Sequence, residues 1–565
     1  MSILKKTSYL TIALSTILSV ALRAHGETPF PQNSLVMQKC SACHKLDKQG
    51  RIEVIEETRK SPEEWKCVVD RMIRLNDAPL EKENFNPVIK ELSRYLSLTP
   101  REMSQIAYIN SDENSQYREI PKNDLEIRLY RACVRCHTWG KIASHRNTPA
   151  QWGETKTMHL AYYPTAVLQM REMNWPKEFQ ELLEPLSKMF PFESSEWREW
   201  MKNRTNPDLS GEWRVAGYQP GMGYYVGTYG FNPDPQKGED EYSIEKHITH
   251  ENGTSLTFSG AGTLYGGFHL RYAMRSSTSG EQIEGVFDLD SSEMDFTGRW
   301  WNVVQDKNAF GNEQYHKADQ ELKIIAAFPQ SLKAESGNTQ ELRLIGVNFA
   351  KNIQLSDITF SDPNVSIKKI KKADSSEIVI AVDVMENALT GPLKISVRGV
   401  PYKNPIVIFD EIDGIKIFPE IGRARVSCGP AYPPQGVQFV ARAVNYGKDR
   451  KADTPDDLIL EPVDAEWWLE EEDTSVSMLM KGLRLAGIYP KFGREKDDDL
   501  QYLNASVDNG LYTPVTTYGP IKERVQHTQG TGLIAIGASY NENGKEYKGR
   551  SLLAVTVPDF IPQLK

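Results

Sequence analysis

The pentapeptides Cys40-Ser-Ala-Cys43-His44 and Cys133-Val-Arg-Cys136-His137 set the same Cys-x-x-Cys-His pattern twice in the first quarter of a 565-residue chain. This is the attachment signature of c-type haem. Two thiols add to the two vinyl groups of the porphyrin, and the adjacent imidazole reaches the iron as its proximal ligand. A redox Cys-x-x-Cys pair or a zinc site would leave the following histidine unexplained at both positions. The expectation is two covalently bound haem c groups, attached through Cys40, Cys43, Cys133 and Cys136, with His44 and His137 as proximal ligands.

Covalent haem attachment takes place outside the cytoplasm, and the N-terminus agrees. Lys5 and Lys6 precede an apolar stretch from Leu10 to Val20, and small residues lead to Ala24, so residues 1–24 read as a secretory signal peptide. A single anchoring helix is the alternative, but the stretch is short and Arg23 interrupts its far side. With 39% hydrophobic and 25% charged residues, composition excludes a disordered chain and a multi-span membrane protein. The net charge of -9 gives no electrostatic ground for a nucleic-acid partner, and a small basic or neutral protein suits it better. Export makes disulfides the default use of cysteine. Cys67 and Cys428 nonetheless fall in different expected domains, and they read as two separate buried thiols.

The duplication extends past the haem motifs. Ser61-Pro-Glu-Glu64-Trp65 and Thr148-Pro-Ala-Gln151-Trp152 are both capping boxes with proline at the first helical position. Trp65, Val68, Val69, Met72 and Ile73 then recur on one apolar helical face. Leu92-Ser-Arg-Tyr-Leu96 resembles Leu186-Ser-Lys-Met-Phe190. Residues 25–204 are therefore expected to form a mainly α-helical dihaem cytochrome c domain of two tandem modules.

Aligning the two capped helices at an offset of 87 sets Met72 opposite His159, each seven residues after its tryptophan. Both can ligate iron, which gives His44/Met72 for the first haem and His137/His159 for the second. The competing reading makes Met72 a core residue and His159 a surface one, with Met103 and His145 as ligands. A thioether favours ferrous iron and a second imidazole lowers the potential, so electrons would run from the second haem to the first.

Beyond about residue 205 the periodicity becomes alternating. Phe268, Leu270, Tyr272 and Met274 point one way, and Phe296, Gly298 and Trp300 repeat the pattern. Three antiparallel β domains are expected: a barrel-like one over 205–330, an immunoglobulin-like sandwich over 331–412 and a C-terminal sandwich over 413–565. No Walker loop, nucleophile elbow or metalloprotease helix is present. His247 and His250 read as surface residues, and Glu470–Asp473 and Asp497–Asp499 as solvated loops.

The two haem motifs, the Ser/Thr-Pro-x-x-Trp helices, Met158-His159 leading to Tyr162-Tyr-Pro164, and Leu209-Ser-Gly-Glu-Trp213 before three β domains together resemble the α subunit of quinohemoprotein amine dehydrogenase. The resemblance implies a periplasmic heterotrimer that oxidises primary amines to aldehydes and ammonia. It places cysteine tryptophylquinone on a small γ subunit and a propeller on the β subunit. This chain would carry electrons through its haems to a soluble acceptor such as a small copper protein or cytochrome c, and would hold no catalytic acid, base or nucleophile. The rivals are a stand-alone dihaem enzyme such as a peroxidase, and a dihaem electron carrier.

Overall fold

The computed structural model describes residues 28–104, 120–134, 139–164, 166–167, 170, 173–303, 310–318, 321–335, 337–425, 436–471, 506–514 and 531–556. Residues 1–24, expected to be a signal peptide, and Cys136, His137, Cys428 and Asp497–Asp499 lie outside the described residues.

Helices occupy the N-terminal region: α1 (Leu35–Cys40), α2 (Pro62–Asn76), α3 (Lys82–Leu96), α4 (Pro100–Ser104), α5 (Asp124–Cys133), α6 (Trp139–Ala143), α7 (Pro149–Tyr162), α8 (Trp175–Met189) and α9 (Ser195–Asn203). The two capping boxes open α2 and α7: Ser61 Oγ accepts from the Glu64 amide, and Thr148 Oγ1 accepts from the Gln151 amide. Each helix is then anchored by its tryptophan. Trp65 donates through Nε1 to the Leu96 carbonyl (3.0 Å) and Trp152 to the Phe190 carbonyl (3.4 Å). These carbonyls belong to the two segments that resemble one another in sequence, so the repeat is physical.

Just before each cap runs a three-residue strand, β1 (Thr58–Lys60) and β2 (His145–Asn147). They pair antiparallel with Thr58 opposite Asn147, Arg59 opposite Arg146 and Lys60 opposite His145. Because the strands are equivalent within the repeat, this register relates the two strands by a local twofold through the Arg59–Arg146 pair.

Eight strands follow: β3 (Gly211–Gln219), β4 (Gly223–Pro233), β5 (Glu241–His250), β6 (Ser255–Tyr265), β7 (His269–Ser276), β8 (Gln282–Leu289), β9 (Asp295–Asn302) and β10 (Phe310–Lys317). Each pairs antiparallel with the next, and β10 returns to β3 to close a barrel. Its interior is filled by large aromatics facing glycines on neighbouring strands: a Cβ at Gly217 would overlap the Tyr225 ring, and one at Gly285 the Tyr272 ring.

Among these rings lie two buried charges. Lys246 and Glu313 form an ion pair, both wholly excluded from solvent. Glu313 also accepts from the hydroxyls of Tyr225 (2.5 Å), Tyr229 (2.7 Å) and Tyr315 (2.7 Å). The Lys246 ammonium sits 4.9 Å from the Trp300 ring centroid and 5.3 Å from that of Tyr229.

The expected fold class needs correction. Strand, at 43%, outweighs helix, at 24%, and the chain is not a mainly α-helical dihaem cytochrome fold. The sheets after the barrel are not purely antiparallel either. Ser331–Lys333 pairs parallel with Ile406–Phe409, and Ile421–Arg425 pairs parallel with Lys545–Thr556. Helical periodicity over fifteen residues is prominent in a sequence, whereas strands of three to five residues leave almost no periodic trace.

The helical region is welded to the barrel. Apolar residues of α5, α7 and α8 share one continuous core with the barrel interior and with Leu552 and Ala554 near the C-terminus. Polar links reinforce it: Arg271 on β7 pairs with Glu63 on α2, and Lys90 on α3 meets Glu241 at 3.0 Å. His269 bonds Ser97 Oγ through Nε2 (3.0 Å) and Asp288 through Nδ1 (2.7 Å).

Candidate haem centre

The first attachment motif begins where a helix ends. Ser34 caps α1 by accepting from the Met37 amide, and the helix stops at Cys40. The following turn is fixed by amides of Cys43 and His44 that donate to the Cys40 carbonyl at 3.2 and 2.9 Å. Cys40, Cys43 and His44 therefore lie on one turn. Burial pushes the Cys40 thiol up to about 11, with Glu91 and Cys43 adding to the effect. Burial lowers the pKa of His44, partly offset by a bond to the Glu53 backbone, so its imidazole is neutral and has a lone pair to offer.

The second motif starts in the same way, since α5 ends at Cys133 and the Val134 amide donates to the Tyr130 carbonyl at 2.9 Å.

Of the candidate distal ligands, Met72 lies on α2, is half-buried, and has the Asn76 side-chain amide 3.9 Å from its sulfur. Met103, the alternative, is only 3% exposed and packs in the apolar core with Trp152 and Trp175. His159 lies on α7, half-buried, beside the rings of Trp175, Phe179 and Tyr163 at centroid distances of 5.7, 6.0 and 6.1 Å. Its Nδ1 donates to the Thr155 carbonyl at 2.7 Å, which fixes the tautomer and leaves the lone pair on Nε2. Burial lowers its pKa, and Arg71 and Lys141 lower it further against the opposing Thr155 bond. His145 is pinned likewise, Nδ1 to the Lys141 carbonyl at 2.7 Å, but its Nε2 faces Glu64 Oε2 at 3.5 Å.

Charged groups gather between the modules. Glu64 on α2 is 2% exposed and pairs with Lys141 at 2.8 Å. Lys60, 7% exposed, sits 5.9 Å over the Trp65 ring, and burial together with Arg71 and Lys141 drives its ammonium down to about 7 despite Glu64. The Arg71 Nε is buried with no hydrogen-bond partner among the described residues.

A second ionic group escaped the sequence reading. Glu102 receives Arg59 in a two-pronged contact at 2.8 and 3.0 Å, and Arg146 Nε at 3.1 Å. The signal was available, because Arg59 and Arg146 stand at the same offset as the two tryptophans. Three other expectations change. Cys67 is exposed on α2 rather than buried. His250 is 2% exposed inside the barrel, bonded to Gln219 at 2.9 Å, and only His247 is on the surface. Glu470 and Glu471 lie in a strand, Glu466–Glu471, paired with Thr531–Glu542, not in a loop.

The donor set fits haem c: thiols on a helix-terminal turn, an adjacent neutral imidazole, and candidate sixth ligands on the equivalent helices.

Comparison with known proteins points the same way. Residues 31–197 match the family model described as quinohemoprotein amine dehydrogenase A, alpha subunit, haem binding. Residues 206–315, 321–410, and 415–487 with 489–563 match domains II, III and IV of the same alpha subunit. No curated protein matches the chain. Among solved structures, a redesigned beta barrel, mFAP1, bound to DFHBI is similar at 19% identity and a TM-score of 0.17, covering 19% of this chain and 94% of that one. Mouse clustered PcdhgC3 EC1-3 is similar at 13% identity and a TM-score of 0.15, covering 51% and 86% respectively. Likeness at this level carries no argument about function.

Proposed function

The chain belongs to the quinohemoprotein amine dehydrogenase alpha subunit family, and on that premise we propose that it is the electron-transfer subunit of a periplasmic amine dehydrogenase complex. In this reading the chain passes electrons from a cysteine tryptophylquinone on a partner subunit to a soluble acceptor, as primary amines are oxidised to aldehydes and ammonia. Haem bound here supplies one-electron chemistry by cycling its iron between ferric and ferrous.

The chain's own residues do the holding and the tuning. Cys40 and Cys43, at the turn after α1, would hold one haem covalently, and Cys133 and Cys136 would hold the other. His44 and His137 would be the proximal iron ligands. Met72 and His159, each seven residues after the tryptophan that anchors its helix, would be the distal ones. The Thr155 carbonyl holds the His159 ring in the tautomer that offers Nε2. The β1–β2 ladder and Glu102 tie the two modules together, and so would hold the two haem-bearing segments in a fixed relation. The barrel and the two later β units give the surface on which the other subunits dock.

The observation that carries this reading is the structural equivalence of the two modules, seen in the paired tryptophan-to-carbonyl bonds and in two helices that end at Cys40 and Cys133. The test is the mass and haem content of the chain purified from its native host with its co-purifying proteins. Two porphyrin additions to a polypeptide starting at His25, with two further chains present, are expected. One haem or none defeats the reading.

A further inference from the structure

The cluster between the modules is short of negative charge. Arg71 and Lys141 both disfavour the charge on Lys60, and among the described residues Glu64 is the carboxylate that favours it. Glu64 is already in contact with Lys141 at 2.8 Å and lies 3.5 Å from His145. A buried cation that lacks an anion is expensive, and so is a buried guanidinium N–H without an acceptor. Arg71 Nε is such a donor. Its position is informative: Arg71 lies two turns after Glu64 on α2 and adjoins Met72, so it shares a helix with the partner of Lys141 and with one candidate distal ligand. The missing anion therefore belongs beside Met72, where α2 meets Lys141 of the other module.

We propose that Arg71, with Lys141 and Lys60 beside it, forms the binding site for a haem propionate at the junction of the two modules, with the Arg71 guanidinium as the direct partner of the carboxylate. The proposal rests on the two-haem reading above. A propionate is the anion that a haem necessarily brings to its own edge, and a planar guanidinium can meet it with two parallel hydrogen bonds. The contact would make Arg71 a positioning residue for the porphyrin and a determinant of its potential. A cation next to the iron disfavours the ferric state, so its loss lowers the potential.

The experiment uses the full haem-loaded protein. Potentials of both haems are measured by spectroelectrochemical titration, and the propionate bending bands by resonance Raman, in wild type, R71Q, R71K and K141Q. R71Q is expected to keep both haems, shift one propionate band, and weaken reduction of one haem about tenfold, which is about 59 mV for a one-electron couple. R71K restores most of the potential without restoring the band. Should R71Q lose a haem during maturation, K141Q supplies the same readouts, with a smaller shift in the same direction. Unchanged potentials and propionate bands in R71Q and K141Q, with two haems bound, overturn the proposal and assign the anion to another source, such as a carboxylate of the chain or a free ion. A wild-type chain with fewer than two haems would instead defeat the two-haem reading itself.

Discussion

Arg59 and Arg146 stand opposite one another at the centre of the β1–β2 ladder, and both donate to the single carboxylate of Glu102. The side chains are 0%, 5% and 10% exposed, so this is a buried triad in which one anion holds two cations. Breaking such a group by removing one member typically costs about 3–5 kcal/mol, because the remaining charges are left uncompensated. Glu102→Ala is therefore expected to destabilise the helical region by that amount, measured as a lower urea midpoint, while Asp70→Ala, which breaks only the exposed Arg74 pair, changes little.

The same triad sets a pH dependence. Burial pushes the Glu102 carboxyl up, but Arg59 and Arg146 outweigh it and hold the group below the usual carboxylate range. A depressed carboxylate contributes stability that is fully present above its unfolded pKa, about 4.3, and is lost as pH falls through the lower folded value. Wild type should thus lose stability on acidification below about pH 4 more steeply than Glu102→Gln. Parallel acid-unfolding curves would show that Glu102 contributes nothing to the transition.

Part of this architecture was legible in the sequence, for physical reasons. A capping box is a local device, and the Ser61 and Thr148 boxes predicted α2 and α7 from five residues each. That the N-terminal region is a haem-binding domain was legible because the two Cys-x-x-Cys-His motifs carry a spacing that haem chemistry demands. The ladder between the modules was not, because pairing Thr58 with Asn147 is a long-range event that three-residue strands do not announce. Nor was the burial of Lys246 and Glu313 visible. Each occupies an alternating strand position that reads as polar, and only closure of β10 onto β3 brings them together. His250 stands in phase with the buried Ile244 and Ile248 on the same strand, so alternation places it inside the barrel although its side chain is polar.

The distal ligands can be separated spectroscopically. A thioether bound to ferric iron gives a characteristic far-red charge-transfer band and favours the ferrous state. Met72→Ala should abolish that band and lower only the higher of the two potentials, and His159→Ala should leave the band intact while making one haem high-spin. His145→Ala should keep both haems low-spin, because its Nε2 faces Glu64. A spectrum unchanged by Met72→Ala would transfer attention to Met103, despite its place in the apolar core.

The barrel interior offers a test independent of haem. Lys246→Met leaves the Glu313 carboxylate buried with tyrosine hydroxyls as its remaining partners, and about 3–5 kcal/mol of stability should be lost. Adding Glu313→Gln removes the stranded charge, so the double variant should be more stable than the single one, and the cycle measures the coupling. Tryptophan fluorescence reports it, since Trp300 donates to the Tyr225 hydroxyl at 2.8 Å and senses the pair directly.

The final prediction separates electron transfer from amine chemistry. A tryptophan-derived quinone needs an indole free to be oxidised and cross-linked and open to a substrate. Of the 11 tryptophans in this chain, Trp65, Trp152, Trp175 and Trp213 are each at most 3% exposed, with the indole N–H committed to the backbone carbonyls of Leu96, Phe190, Ala132 and Leu209. These rings already serve the packing of both modules and of the barrel. The purified haem-loaded chain should accordingly take up electrons from a reduced quinone or dithionite, seen as reduction of its haem absorption bands, yet show no reduction when a primary amine is the only donor. Adding the co-purifying subunits should restore amine-dependent reduction. Amine turnover by the chain alone would place the oxidising cofactor here and remove the need for a partner.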